Sequence, residues 1–156
     1  MSRQTTHRSA IYIIFKRADE ILMLRRFNTG YQDGNYSLVA GHIEANESAL
    51  HAALREGSEE AGVTLRAEDL RVIHVMHRVW EDKLMYYDVY FLAEKWEGVI
   101  TNLEPEKCDD LRWFNLDALP ENTVGHVRLA LKCVREGVSF SEYGWGDKEL
   151  FREVEV

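Results

Sequence analysis

Apolar residues fall along this chain in short blocks whose length and flanks predict strands arranged around two helices. Ala10 to Phe15 is an apolar, β-branched run and predicts a strand, and Ile21 to Leu24 predicts a second. Asn28, Gly30, Asp33, Gly34 and Asn35 make a turn-rich stretch before a short strand, Tyr36 to Ala40. Helical spacing then takes over from Ala49 to Ala61, with Ser48 as the N-cap and Gly62 as the C-terminal stop. Two longer strands are predicted at Leu70 to Trp80 and Leu84 to Ala93, joined by a Glu81-Asp82-Lys83 turn, and a short one at Leu111 to Phe114. A second helix spans Asn122 to Glu136, preceded by Pro120 and closed by Gly137. Strands on both sides of one helix, with another helix at the end, predict an α/β fold in which helices cover the faces of a sheet. Periodicity does not give the strand order.

Composition adds limits to this picture. A chain of 156 residues, 46% hydrophobic and 29% charged, without repeats or a Pro/Gly/Ser-rich linker, predicts one domain over residues 1–156. Met1 to Ala10 is polar, unlike a signal peptide, and no apolar stretch approaches the roughly 20 residues that cross a bilayer. The expectation is a cytoplasmic protein with no membrane partner. Cys108 and Cys133 are too few for a disulfide framework or a zinc site, and predict packed, reduced thiols. The formal net charge of −8, from 27 acids against 19 Lys plus Arg, argues against a polymeric nucleic acid as partner. It leaves room for a small phosphorylated substrate if a divalent cation stands between the charges.

The acids are most concentrated on the first helix. At about 100° per residue, Leu50, Ala53, Leu54, Gly57 and Ala61 form the stripe that packs on the sheet. Glu56, Glu59 and Glu60 cluster on a neighbouring arc at i, i+3 and i+4, where like charges cost a few tenths of a kcal/mol per pair. They also lie near the last turn, where the helix dipole prefers cations. A solvated acidic face is one reading. The other is a hard cation such as Mg²⁺, which takes one or two carboxylates with waters and phosphates. Ala49, Ala52 and Ala53, on the same side, are small enough to leave space for it. Gly57 inside the helix marks either a close approach to the sheet or a tolerated irregularity.

Gly41, five residues, Glu47, seven residues, then Arg55-Glu56-Gly57-Ser58-Glu59-Glu60-Ala61-Gly62-Val63 resembles the box of the Nudix (MutT-like) family, G-x5-E-x7-R-E-U-x-E-E-x-G-U with U aliphatic. Every fixed position is filled over residues 41–63; the departure is Gly57 at the first aliphatic site, where lost packing and a weaker helix are expected. Arg25 and Arg26 after a strand, the strand entering the box, and Trp113 followed by Leu119-Pro120 extend the resemblance over residues 8–136. It implies a Nudix-type α/β/α sandwich with a mixed β-sheet, the box forming loop–helix–loop. It implies Mg²⁺-dependent (or Mn²⁺-dependent) pyrophosphohydrolysis of a nucleoside triphosphate or another nucleoside diphosphate linked to a group X. Carried over by position, Glu56 and Glu60 are metal ligands, Glu59 is a further ligand or the general base, and the carbonyl of Ala40 is another ligand. Glu47 and Arg55 organise the loop and orient Glu56, while Gly41 and Gly62 serve backbone geometry.

Outside the box, one of Arg25 and Arg26 is expected to face the substrate phosphates, since neighbours on a strand point opposite ways. Glu104 and Glu106 are candidates for another ligand or base. Tyr31, Tyr36, Trp80, Tyr86 and Tyr87 are either core or base-stacking residues, and His74 and His77 read as packed or surface imidazoles. Two other functions share the resemblance. A nucleotide-sensing module without catalysis would tend to lose box carboxylates, all of which are present here. An isomerase acting on a prenyl diphosphate would need a Cys and a further Glu outside the box, which the sequence does not place. The group X stays open, with the Asn28-to-Asn35 loop and the Arg78-to-Tyr87 segment as its expected selectors. A homodimer is common in the resembling family, and nothing in the sequence decides it.

Overall fold

The computed structural model describes residues 5–80 and 83–146; Glu81 and Asp82 of the expected turn lie outside the described residues. The strands in chain order are β1 (His7–Arg17), β2 (Glu20–Arg26), β3 (Tyr36–Ser37), β4 (Val39–His42), β5 (Leu70–Val79), β6 (Met85–Ala93), β7 (Cys108–Asn115) and β8 (Phe140–Tyr143). Helix α1 (Ala49–Ala61) follows β4, a short 3-10 turn at Ala67–Asp69 precedes β5, and α2 (Gly125–Arg135) follows β7.

The strands form an eight-stranded sheet in the order β3-β2-β1-β6-β5-β8, with β4 added to β1 and β7 to β2. The sheet is mixed: β1 runs parallel to β6 and β5 parallel to β8, and the remaining pairs are antiparallel. The apolar run of β1 is explained by burial of both faces. Ile11, Ile13 and Phe15 join Ala52, Ala53 and Ala61 beneath α1. Tyr12 and Ile14 join Val127, Ala130 and Leu131 beneath α2. The result is the expected α/β/α sandwich.

Helix α1 has the bounds and caps that its sequence predicts. The Ser48 side chain accepts from the backbone N–H of His51 at 3.1 Å, and Gly62 ends the helix in the left-handed region at φ 67°. Three elements differ from expectation. The strand expected over Tyr36 to Ala40 is two strands, because the chain passes at Leu38 from pairing with β2 to pairing with β1. Helix α2 begins at Gly125 instead of Asn122. Its expected first residues are engaged elsewhere: the Asn122 amide donates to the Gly34 carbonyl at 2.7 Å and the Thr123 hydroxyl to the Pro120 carbonyl at 2.6 Å. Strand β8, a four-residue edge strand, has no counterpart among the expected elements.

Both cysteines are free and buried. Among the described residues no helix is long and apolar enough to cross a membrane.

Candidate active site

The site is built where β4 meets α1. The Arg55 guanidinium is the hub. Its Nε and Nη2 donate to the two oxygens of Glu47 at 2.8 and 3.0 Å, and Nη1 donates to Glu56 Oε1 at 2.7 Å. Nη1 also reaches Glu59 Oε2 at 3.3 Å, and Nη2 the carbonyl of His42 at 3.1 Å. Glu47 in turn accepts from the backbone N–H of Glu44 at 2.9 Å, tying the loop before the helix to the helix itself. The paired guanidinium holds the Glu47 carboxyl down at about 2. The expected Glu47–Arg55 ion pair is present, in the bidentate geometry that fixes orientation best.

Glu56 is 8% exposed and lies against Gly41. A Cβ on residue 41 would stand 1.9 Å from Glu56 Oε1, so only glycine admits that carboxylate. Glu60 is partly buried and accepts from the backbone N–H of Ala40 at 3.0 Å. Burial pushes its carboxyl up to about 8, with the neighbouring Glu56 and Glu104 adding to the rise. Burial likewise raises Glu56, against the pull of Arg55. Glu59 is exposed and turned towards Arg55.

Glu56, Glu59, Glu60, Glu104, Ala40 and Arg26 line one cavity of about 570 Å³. Arg26 is fixed there by Nε to the Tyr31 carbonyl at 2.6 Å and Nη2 to the Thr29 hydroxyl at 3.0 Å. Arg25 points the other way and pairs with Asp109 at 2.7 and 3.1 Å. Of the two expected phosphate-binding arginines, the structure therefore brings only Arg26 to the cavity. Glu104 lines it while Glu106, next along the same turn, does not.

Asn28 and Thr29, from the loop expected to select X, also line the cavity, together with His42, Glu44, Asn102 and Lys107, which sequence reasoning did not single out. They occupy no fixed position of the box, and their common location follows from β2, β4 and the loop before β7 converging. Cys108 lies on the cavity too, beside Glu104, so a cysteine and an extra acid outside the box do meet here. Its thiol donates to the Asp110 carbonyl at 3.3 Å and is raised by burial.

Two expectations about α1 change. Ala52 and Ala53 are fully buried in the core beneath the helix, and Ala49 packs against it, so they do not make room for a ligand. The space comes from Gly41 and the loops instead. At Gly57, an added Cβ would stand 2.6 Å from Leu65 Cδ1 and 3.6 Å from Ile13 Cδ1. Leu65 thus fills the place of the family's aliphatic residue, and the packing expected to be lost is supplied from outside the helix.

Among the described residues, no three His, Cys, Asp or Glu side chains are gathered closely enough to hold a metal as they stand. Arg55 draws Glu56 and Glu59 to itself, and Ala40 holds Glu60. The donor chemistry nevertheless fits a hard cation: carboxylate oxygens in one cavity, two of them raised by burial, which a positive charge would offset.

A sheet between two helices, presenting box carboxylates at a loop–helix–loop, defines an α/β/α sandwich with an acidic cavity on one side. A family model described as the NUDIX domain matches residues 5–132, and the chain belongs to the Nudix family. It is 35% identical over 111 residues to the protein named NAD-capped RNA hydrolase NudC of Pseudomonas aeruginosa PAO1, covering 71% of this chain and 37% of that one. The protein of the same name from Citrobacter koseri is 29% identical over 110 residues, covering 70% of this chain and 40% of its own. The chain thus spans well under half the length of these curated relatives. Among solved structures, the MutT NUDIX hydrolase from Burkholderia pseudomallei superposes with a TM-score of 0.75 at 25% identity, covering 82% of this chain and 98% of that one. The MutT protein from Methanosarcina mazei Go1 shares the fold, with a TM-score of 0.73 at 17% identity over 86% and 97% of the two chains. The name of the NudC relatives, which joins a nucleotide cap to RNA, sits poorly with an expectation of no nucleic-acid partner.

Proposed function

We propose that this chain is a divalent-cation-dependent pyrophosphohydrolase acting on a nucleoside diphosphate linked to a further group. The reaction adds water across a P–O–P bridge, breaking one phosphorus–oxygen bond and leaving two phosphate-ended products. The observation that carries the reading is the single cavity in which Glu56, Glu59, Glu60 and Glu104 face Arg26 and Lys107. Acids alone would repel a diphosphate. Acids with a divalent cation, flanked by a guanidinium and an ammonium, would hold one.

Glu56 and Glu60 would hold Mg²⁺ or Mn²⁺, with Glu59 and the Ala40 carbonyl as further ligands. When bound there, the cation supplies neutralisation of the diphosphate and Lewis acidity towards water. The chain's own residues do the rest. Arg26 and Lys107 bind phosphate oxygens, and the rigid Thr29 and Tyr31 contacts of Arg26 orient its fork. Glu59 or Glu104 accepts the proton of the attacking water. Arg55, locked by Glu47, positions Glu56 and closes the loop over the helix start.

The meeting of Cys108 and Glu104 gives the prenyl-diphosphate isomerase a second hearing. Against it, the thiol already donates to a backbone carbonyl, and burial raises it away from the thiolate.

The test is turnover. Purified protein with Mg²⁺ would meet nucleoside triphosphates, dinucleoside polyphosphates, nucleotide sugars, ADP-ribose and NAD, with Glu60→Gln as control. Hydrolysis of one class by wild type alone supports the reading. Nucleotide binding by calorimetry without turnover would favour a sensing module instead.

A further inference from the structure

Two imidazoles meet on the sheet outside the acidic cavity. His7 Nε2, at the start of β1, stands 3.2 Å from His77 Nε2, near the end of β5, and neither residue lines that cavity. Strand alternation explains why they share a face. His7 follows the odd positions of β1, as Ile11 and Ile13 do, and His77 pairs with Tyr87 of β6, the strand between them. Their chain neighbours turn to the opposite face, where Arg8 reaches Tyr86 and Arg78 pairs with buried Asp88.

Aromatic rings hold the pair in place. Tyr87 lies 4.4 Å from His77 at 11° and 5.1 Å from His7 at 28°, centre to centre. Trp145, which follows β8, lies 4.5 Å from His77 and donates its indole N–H to the His77 carbonyl at 3.0 Å. Rings on its flanks limit the swing of His77, so less freedom is lost when a ligand arrives. Glu142 of β8 is paired with His77 in register, on the same face, and adds a negative charge beside it. A hydrogen bond between neutral rings is one use of the contact, one Nε2–H donating to the other nitrogen. The same geometry suits a metal ion. A tetrahedral ion with bonds of about 2.0–2.1 Å holds two donor nitrogens about 3.3–3.4 Å apart. The observed 3.2 Å lies within about 0.2 Å of that, the tolerance expected of a metal site. Burial and the neighbouring His7 lower His77 below the usual imidazole range, which favours the neutral form that ligates. Imidazole suits Zn²⁺, Ni²⁺ and Cu²⁺, whereas carboxylates suit Mg²⁺ and Mn²⁺.

We infer that His7 and His77 form a second cation site, for a borderline transition metal such as Zn²⁺ or Ni²⁺, separate in place and in chemistry from the acidic cavity. Both Nε2 atoms would be ligands, with water completing the shell and Glu142 offsetting part of the charge. The ion would tie the start of β1 to β5 across β6, so its effect falls on stability and not on the reaction. The site stands whether or not the acidic cavity hydrolyses a diphosphate.

Ni²⁺ is the probe, because it quenches a nearby indole and Trp145 stands beside His77. Tag-free wild type, His7→Gln, His77→Gln and Trp145→Phe would be titrated with Ni²⁺, with excess Mg²⁺ filling the acidic cavity, and followed by calorimetry and tryptophan fluorescence. The wild type is expected to bind one Ni²⁺ per chain, with part of its emission quenched and its melting temperature raised. Each histidine variant should lose at least what the loss of a ligand-orienting residue costs, about tenfold in affinity. Trp145→Phe should keep the calorimetric affinity and lose the quenching, which locates the ion without altering either histidine. Zn²⁺ should compete with Ni²⁺ in the wild type. Equal affinity in wild type and His77→Gln, or quenching undiminished in Trp145→Phe, would overturn the inference. Circular dichroism checks folding, and if a histidine variant is unfolded the Trp145→Phe comparison decides alone.

Discussion

Helix α1 meets its face of the sheet through Ala52, Ala53, Gly57 and Ala61, whereas α2 meets the opposite face through Val127, Ala130 and Leu131. The small residues let α1 sit close, and the consequence is visible in its acids. Glu60 reaches the backbone N–H of Ala40, and Glu56 lies within the space that a methyl on Gly41 would fill. Helix α2 buries larger side chains and brings His126 into the core, where burial pushes the imidazole down to about 3 and keeps it neutral. One helix is spaced so that charge can be delivered to a cavity, and the other so that apolar area is removed from water. The size of the buried side chains thus separates the charged layer from the apolar one.

That contrast can be broken on either side. The largest effect is expected at Glu60→Gln, which should cut Mg²⁺-dependent turnover by at least about a hundredfold with the fold retained, measured as rate and melting temperature together. Near-normal rate would remove Glu60 from the site. On the other helix, Leu131→Ala should cost about 2–5 kcal/mol in denaturant unfolding and leave turnover of the folded fraction unchanged. A rate defect at full folding would mean that α2 reaches the chemistry after all.

Between these lies Arg55→Ala. Freed from the hub, Glu47 loses its partner and Glu56 its orientation, so metal affinity should fall about 10–100-fold, as for residues that hold a ligand in place. Unchanged affinity with lost rate would give Arg55 a direct role in the reaction.

A smaller effect is expected from pH. The Glu60 carboxyl stands at about 8 in the folded protein against 4.5 for an ordinary one. Between those values the metal-free folded state keeps a proton that the unfolded chain has lost. Its contribution is fully present below about pH 4.5 and fades as pH rises towards 8, on the order of 1 kcal/mol or more in all. Glu47 works in the opposite sense: its depressed carboxyl stabilises the fold above 4.5, and that contribution is lost as pH falls towards 2. Melting curves of the metal-free protein should therefore slope downwards from pH 5 to 8, and Glu60→Gln should flatten them. A slope unaltered by that substitution would assign it to other groups.

The smallest change is Gly57→Ala. A gain of about 1 kcal/mol in helix propensity opposes the push of the new Cβ on the movable end of Leu65, so the net should stay within about 1 kcal/mol. The gain should emerge when Leu65 is also shortened to Val.

The amount of this that could be read from residues alone follows the range of the interactions. The bounds and caps of helix α1 were legible, because Ser48 and Gly62 each act on the turn beside them. The Glu47–Arg55 pair was legible only through the resemblance of the box. Strand pairing was not: β1 lies against β6, with His7 beside Met85, and no local pattern announces a partner so far along the chain. The break at Leu38 depends on which strands flank it, and β8 alternates exposed Phe140 and Glu142 with buried Ser141, a pattern too short and too polar to stand out. At the site, the box gave the acids but not the second wall. That Arg26 and not Arg25 faces the cavity is fixed by the register of β2, while Asn102 and Lys107 arrive through the loop before β7 and Cys108 as the first residue of that strand. The burial of Ala52 and Ala53, read as open space, shows where helical spacing misled: the wheel gives a residue's direction but not what stands opposite it.

The central claim, that the α1 acids are spaced to take a divalent cation, is tested most directly by calorimetric titration of Mn²⁺ into the metal-free wild type and Glu60→Gln without substrate. The account predicts saturable binding to the wild type and loss of at least about tenfold in affinity in the variant, both proteins being folded. Equal affinity in the two, or no binding to the wild type at millimolar Mn²⁺, would contradict it.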